Sequence, residues 1–310
     1  MFSLKCKRTR RHCYKHWHIF FTSVIIFSII QAALHASAKE KSDTGCNSTG
    51  TSLSYFIEKG YDQIQSGSID QALISFNRVL ESDADNLDAR LGQAMIYSEQ
   101  ARHEDAFAVY DLIIKEYPQH AFAWNGRGLS AFNMENFDEA LTSFQKATAD
   151  QPMNGFFYES LAWTQMCRGE FNEAAKYAKK AVLMYDRNGE TSFYPLLIAY
   201  FSYHESGDAN NALRVLQYAN RNKSSDQWPG PIIDYLNKKI DEVELISYVT
   251  NSTEETEAHT YIGLYMRLLG DNDLANRHLK WVCDFGNTKV FEYTLARTLQ
   301  PQAKLASIDL

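Results

Sequence analysis

The sequence predicts an all-α protein, a right-handed superhelical solenoid of about six helix-turn-helix repeats closed by a C-terminal capping helix. Three observations predict it. Alanines recur at a step of 34 residues, at Ala72, Ala106, Ala140 and Ala174. Phe76, Tyr110, Phe144 and Ala178 follow each of them by four residues, then Val79, Ile113, Ala147 and Ala181 by three more. No stretch alternates apolar and polar residues between turn pairs, so nothing reads as a sheet.

The N-terminus stands apart from this pattern. Residues 1–38 hold six basic side chains and no acid, and without them the formal charge moves from −7 to −13. Behind the basic residues, 19–34 is an uncharged apolar run, and Ala36-Ser37-Ala38 offers a small-x-small cleavage site. That order is the anatomy of a secretory signal peptide cleaved after Ala38, with a signal anchor through residues 19–34 as the alternative. Either way the remainder is expected outside the cytoplasm, in the periplasm or cell envelope, with membrane contact only through this segment if it stays uncleaved. Residues 39–51, rich in Ser, Thr and Gly, read as a flexible leader.

Repeats follow near 53–86, 87–120, 121–154 and 155–188. In each, apolar residues fall at three- and four-residue steps on two consecutive helices. Small residues at repeat positions 8, 20 and 27 let the two helices approach, and the aromatic at position 24 fills the space towards the next pair. Gly67 and Gly169 hold position 15, between the helices, while Pro118 and Pro152 stop the second helix. A fifth repeat, 193–226, comes after a four-residue slip in a turn-rich stretch. Residues 227–255 break the register and read as two short helices, the first opened by Gly230-Pro231. A sixth repeat spans 256–289, a cap follows at 289–300, and 301–310 is a tail. One such unit cannot bury both of its faces, so neighbours must stack.

A period of 34 with this spacing resembles the tetratricopeptide repeat (TPR), a helix-turn-helix unit. The C-terminal quarter is also similar to exported bacterial TPR proteins like the lipoprotein NlpI. "QWPGPIIDYL", "TYIGLYMRLLGD" and "FEYTLAR" carry that similarity, with Trp228, Gly270, Asp271, Glu292 and Ala296 at the matching positions. It implies a non-enzymatic homodimeric periplasmic scaffold that brings peptidoglycan-cleaving enzymes to a protease. The sequence departs at the anchor: "DTGC", ending at Cys46, lacks the lipoprotein pattern.

Little points to chemistry. The five histidines beyond the signal, His103, His120, His204, His259 and His278, include no zinc-protease pair. There is no nucleophile elbow and no phosphate-cradling glycine loop. Cys46, Cys167 and Cys283 make an odd count with no zinc spacing, and Cys167 and Cys283 read as small buried hydrophobes. No catalytic residue, cofactor or metal is expected. An acidic body argues against nucleic acid as a partner.

The TPR resemblance implies that positions 2, 9 and 12 of each first helix face a concave groove. Position 9 holds Tyr61, Met95, Leu129, Trp163 and Phe201; position 2 holds Phe122, Phe156 and Tyr194; position 12 holds Phe132 and Met166. This wall is apolar and aromatic, which excludes the TPR subtype that clamps a C-terminal carboxylate with Lys, Arg and Asn. The expected function is an exported, non-enzymatic scaffold that binds protein segments, envelope enzymes or peptides among them, with Trp163 as the anchor midway along the groove. Two alternatives stand beside it: an enzyme or enzyme subunit on a helical-repeat scaffold, and a structural component of an envelope or secretion complex.

Overall fold

The computed structural model describes residues 48–300. The signal segment, all of the leader before Ser48 and the tail lie outside the described residues, and so do the expectations placed on them. Among the described residues there are fifteen helices and no strand. They belong to two compact units, one ending at Gly92 and one beginning at Gln93.

The helices come in pairs: α1 (Ser48–Gln65) with α2 (Ile69–Ser82), and α3 (Leu87–Glu99) with α4 (His103–Glu116). Next are α5 (Ala121–Asn133) with α6 (Phe137–Asp150), α7 (Gly155–Cys167) with α8 (Phe171–Arg187), and α9 (Tyr194–Glu205) with α10 (Ala209–Asn222). Two short helices follow, α11 (Gly230–Leu236) and α12 (Glu242–Ser247). A last pair, α13 (Ser252–Leu269) and α14 (Asn272–Phe285), precedes the single α15 (Phe291–Leu299).

Local chemistry sets the boundaries. Side-chain oxygens of Asn154, Asp208, Asp241, Asn251 and Asp271 accept from backbone N–H groups in the first turns of α7, α10, α12, α13 and α14. The turn inside each of the first four pairs uses a left-handed residue at one repeat position. Gly67 (φ 75°) and Gly169 (φ 77°) suit it, but Ala101 (φ 55°) and Glu135 (φ 59°) adopt the same conformation in the second and third pairs. The repeat geometry overrides residue preference there.

Packing explains why position 24 is aromatic. In the first unit, a Cβ on Gly60 would come within 2.7 Å of the Phe76 ring and one on Gly92 within 2.3 Å. The same ring therefore fills the space against its own pair's first helix and against the start of α3. In the second unit Gly126 stands over Tyr110 (2.3 Å to an added Cβ) and Gly128 over Phe144 (2.6 Å). The backbone is held so close to each ring that only glycine fits. The fourth repeat has Ala178 at this position, and Tyr185, two helical turns further on, takes the space under Gly155.

Candidate functional site

α7 reads GFFYESLAWTQMC and is buried on almost every face, from Gly155 through Met166 apart from half-buried Phe156. A helix buried all round needs cover on each side. α8 covers one side, and α15 covers the side that the repeat presents to its inner wall. α9, equally apolar, is covered in part by α13.

Leu129, Phe132, Phe156, Trp163, Met166 and Phe201 are thereby brought into one cluster with residues of the chain's own C-terminal helices, while Met95 and Phe122 lie outside it. Phe291, the first residue of α15, stacks on Trp163 with ring centroids 5.7 Å apart and planes 4° from parallel. It meets Phe132 edge-on at 5.0 Å and Phe156 at 6.3 Å. Tyr261 of α13 stacks on Phe201 at 5.9 Å. Trp163, Phe132, Met166, Met95 and Phe201 are buried, Trp163 with 1% of its surface exposed. Phe122, Leu129, Phe156 and Tyr194 are half-buried, with Phe122 edge-on to Phe157. Tyr61, in the first unit, is a core residue whose hydroxyl donates to the Asp88 carbonyl. The sequence pattern implied an open wall; here α13 and α15 occupy its central part.

Beside this aromatic contact lie three buried carboxyl groups, each on a different helix. Glu159 of α7 accepts from the Tyr185 hydroxyl at 2.9 Å. Glu257 of α13 accepts from the Tyr194 hydroxyl at 3.0 Å and the Trp228 indole N–H at 2.6 Å. Glu292 of α15 accepts from the Tyr261 hydroxyl at 2.9 Å. Among the described residues none of the three is in an ion pair with a Lys, Arg or His. Burial pushes Glu159 up to about 8 and Glu292 to about 7, and it holds Glu257 well above the ordinary carboxylate range. The neighbouring carboxyls raise Glu159 and Glu257 further. Burial and the same acids hold Tyr185, Tyr194 and Tyr261 in their phenol forms.

Sequence reasoning did not single out Glu159 or Glu257. Glu159 was the more visible, an acid inside an otherwise apolar helix. Glu257 sits in "STEETEAHT", where nothing in the sequence separates it from Glu254 and Glu255. Glu292 and Trp228 entered only through the resemblance.

Two further polar contacts tie the ends of α15 and its approach to the repeats. Arg297 pairs with Glu135 at 2.9 Å, and Lys289 with Glu99 at 2.5 Å. On the far side of α13, His278 holds Glu242 through Nε2 at 3.1 Å and meets His259 Nδ1 to Nδ1 at 2.8 Å. His259 lies flat on Trp281, centroids 4.0 Å apart, and its desolvation lowers it to about 4. Cys167 and Cys283 are free thiols. Among the described residues no group of three or more His, Cys, Asp or Glu could hold a metal ion, and no helix is long and apolar enough to cross a membrane.

Two tetratricopeptide-repeat family models match the chain, one over residues 57–121 and one over 121–154. Residues 57–154, about a third of the chain, thus match tetratricopeptide repeats. Solved structures of MamA proteins share the fold. One covers 62% of this chain and 97% of its own, with a TM-score of 0.52 at 17% identity. Another, MamA from residue 41 of Desulfovibrio magneticus RS-1, covers 54% and 93%, with a TM-score of 0.50 at 14% identity. At these identities the likeness concerns the fold alone. Among curated proteins, the CTR9 homolog of Arabidopsis thaliana is 29% identical over 102 residues, which are 33% of this chain and 9% of that relative. The chain thus matches under a tenth of that protein's length.

Proposed function

We propose that this chain is a non-catalytic adaptor whose aromatic TPR wall receives helical protein segments. The observation that carries the reading is α15 itself, a short amphipathic helix seated on the wall through one aromatic anchor, Phe291, against Trp163, Phe132 and Phe156. A groove that accepts such a helix in cis has the shape and apolar lining to accept one in trans. A partner segment would present an aromatic anchor and an apolar helical face, and would take the place of α15. The TPR fold supports the coarser part of this reading, protein–protein interaction.

We further propose that the adaptor works outside the cytoplasm. Support for this is the basic–apolar–small order of residues 1–38. N-terminal sequencing of the protein recovered from the exported fraction of its host is expected to begin at Lys39. A chain beginning at Met1 in the membrane fraction would support the anchor instead.

Affinity capture from envelope extracts, followed by mass spectrometry, tests the wall. Phe291→Ala loosens the cap, and it is expected to capture more of a defined set of proteins than wild type. Adding Phe156→Ala, which truncates a half-buried wall residue, is expected to weaken that capture about tenfold, or about 1.4 kcal/mol. An identical captured set for all three proteins would show that the wall is not the binding surface.

A further inference from the structure

We propose that Glu159, Glu257 and Glu292 form an acid-closed latch. While these carboxyls carry their protons, α13 and α15 stay on the TPR wall; their ionisation releases the C-terminal helices and uncovers the wall. This does not depend on whether a partner binds there.

The geometry carries the proposal. The three acids come from α7, α13 and α15, so they lie where the C-terminal helices meet the repeats. Each is at least 95% buried. The donors they receive are neutral: Tyr185 from α8, Tyr194 from α9, Trp228 from the segment before α11 and Tyr261 from α13. Among the described residues, the charged groups that act on them are further acids. Glu292 faces Glu159 and Glu257, and Glu254 adds to Glu257 from its own helix. A buried carboxylate surrounded by carboxylates and apolar rings, without a cation, is costly. As neutral acids the same groups sit there at little cost and can also donate.

The pH dependence has one sign. Each acid binds its proton more tightly in the closed chain than when exposed. Closure is therefore fully supported below the ordinary carboxylate value of 4.5. It weakens as pH rises through about 7 for Glu292 and about 8 for Glu159, and each acid's contribution levels off above its own value. Three linked protons make closure depend more strongly on pH than one acid would, while the repulsion among the acids spreads their release into successive steps.

Cys167 provides a local reporter. It ends α7, and the Thr298 hydroxyl of α15 faces its thiol. The full chain would be treated with a dithiodipyridine reagent at pH about 5 and about 9. Rates at Cys167, resolved by peptide mass, would be divided by those of the urea-unfolded chain at the same pH, which removes the thiol's own titration. Far-UV circular dichroism would be recorded alongside. The relative rate at Cys167 is expected to rise about tenfold or more at the higher pH, with helical content nearly kept. Glu257→Gln and Glu292→Gln, each mimicking a protonated acid, are expected to stay protected to higher pH. Equal protection of wild-type Cys167 at both pH values would overturn the proposal. So would loss of helix together with protection, or unchanged release in whichever glutamine variants fold.

Discussion

The repeats from His103 to Arg187 and the C-terminal segment from Trp228 to Leu299 are both helical and both buried, yet they are held by different physics. Shape holds the repeats. Tyr110 lies against the backbone of Gly126, Phe144 against Gly128 and Tyr185 against Gly155. Their charged groups other than Glu159 are exposed or half-buried, as in the Arg127 guanidinium that joins Asp111, Glu139 and the Ser143 hydroxyl, and their remaining buried polar side chains are neutral. The C-terminal segment instead meets the repeats through buried acids, aromatic hydroxyls and two stacked rings, Phe291 on Trp163 and Tyr261 on Phe201. A contact made by shape is indifferent to protons, and a contact made by buried carboxyls is not. Within one unit, the regular part is therefore built to persist and the added part to be conditional.

Trp163→Ala strikes the place where the two kinds of contact meet, and it is expected to have the largest effect. The ring is almost fully buried and stacked on Phe291. Truncating a buried Trp costs about 3–5 kcal/mol. A lowered urea midpoint together with a freely reactive Cys167 would place the loss at the cap contact. A midpoint within error of wild type would mean that the ring is not core.

Gly126→Val tests the shape-held repeats on their own. An added Cβ would meet the Tyr110 ring at 2.3 Å, against carbons of a ring packed on both sides. Overpacking of this kind costs about 1–3 kcal/mol. The loss is expected to be the same at pH about 5 and about 8, since no titrating group is involved. A strongly pH-dependent loss would erase the distinction between the two regions.

The acids give the complementary test. Wild-type stability is expected to fall as pH rises from 4.5 towards about 7 for Glu292 and about 8 for Glu159, by up to ~1.4 kcal/mol per pH unit for each acid that is titrating. Glu257→Gln and Glu292→Gln should flatten that slope in urea titrations. The histidines act in the other direction. His259 is lowered to about 4 and His278 is also lowered, so the stability they carry is present above 6.5 and is lost as pH falls below it. The two arms overlap between 4.5 and 6.5 and oppose each other there; from 6.5 towards about 8 only the acids act, so that part of the slope should respond to the glutamine substitutions and not to loss of the histidines.

How much of this was legible in the sequence follows from the range of each interaction. Helix pairs, turn positions and the aromatic at position 24 are repeated every 34 residues, so each copy reinforces the reading of the others. The wall was legible as a set of apolar positions for the same reason. What lies on it was not: Phe291 of the cap and Tyr261 of the last pair reach Trp163 and Phe201 from beyond the break at 227–255, and an apolar stripe does not say whether its cover is a partner or the chain itself. The acids were hidden for a related reason. Glu257 becomes unlike its neighbours only when Trp228 and Tyr194 close over it.

The smallest expected effect sharpens the shape side of the comparison. Position 15 of the repeat takes a left-handed backbone whatever residue occupies it: Gly67, Ala101, Glu135 and Gly169 have φ values of 75°, 55°, 59° and 77°. A residue with a Cβ pays about 1–2 kcal/mol for that conformation, and glycine costs about 0.5–1 kcal/mol in chain entropy. Ala101 is exposed, so its methyl group contributes no packing. Ala101→Gly is therefore expected to stabilise the chain by about 0.5 kcal/mol, read as a small rise in urea midpoint that does not change with pH. The same change at Glu135 removes the pair with Arg297 of α15 as well. Glu135→Gly should consequently gain at the turn and lose at the cap, leaving global stability nearly unchanged while Cys167 becomes easier to label. Equal responses at the two sites would mean that the Glu135–Arg297 pair does nothing to hold α15 in place.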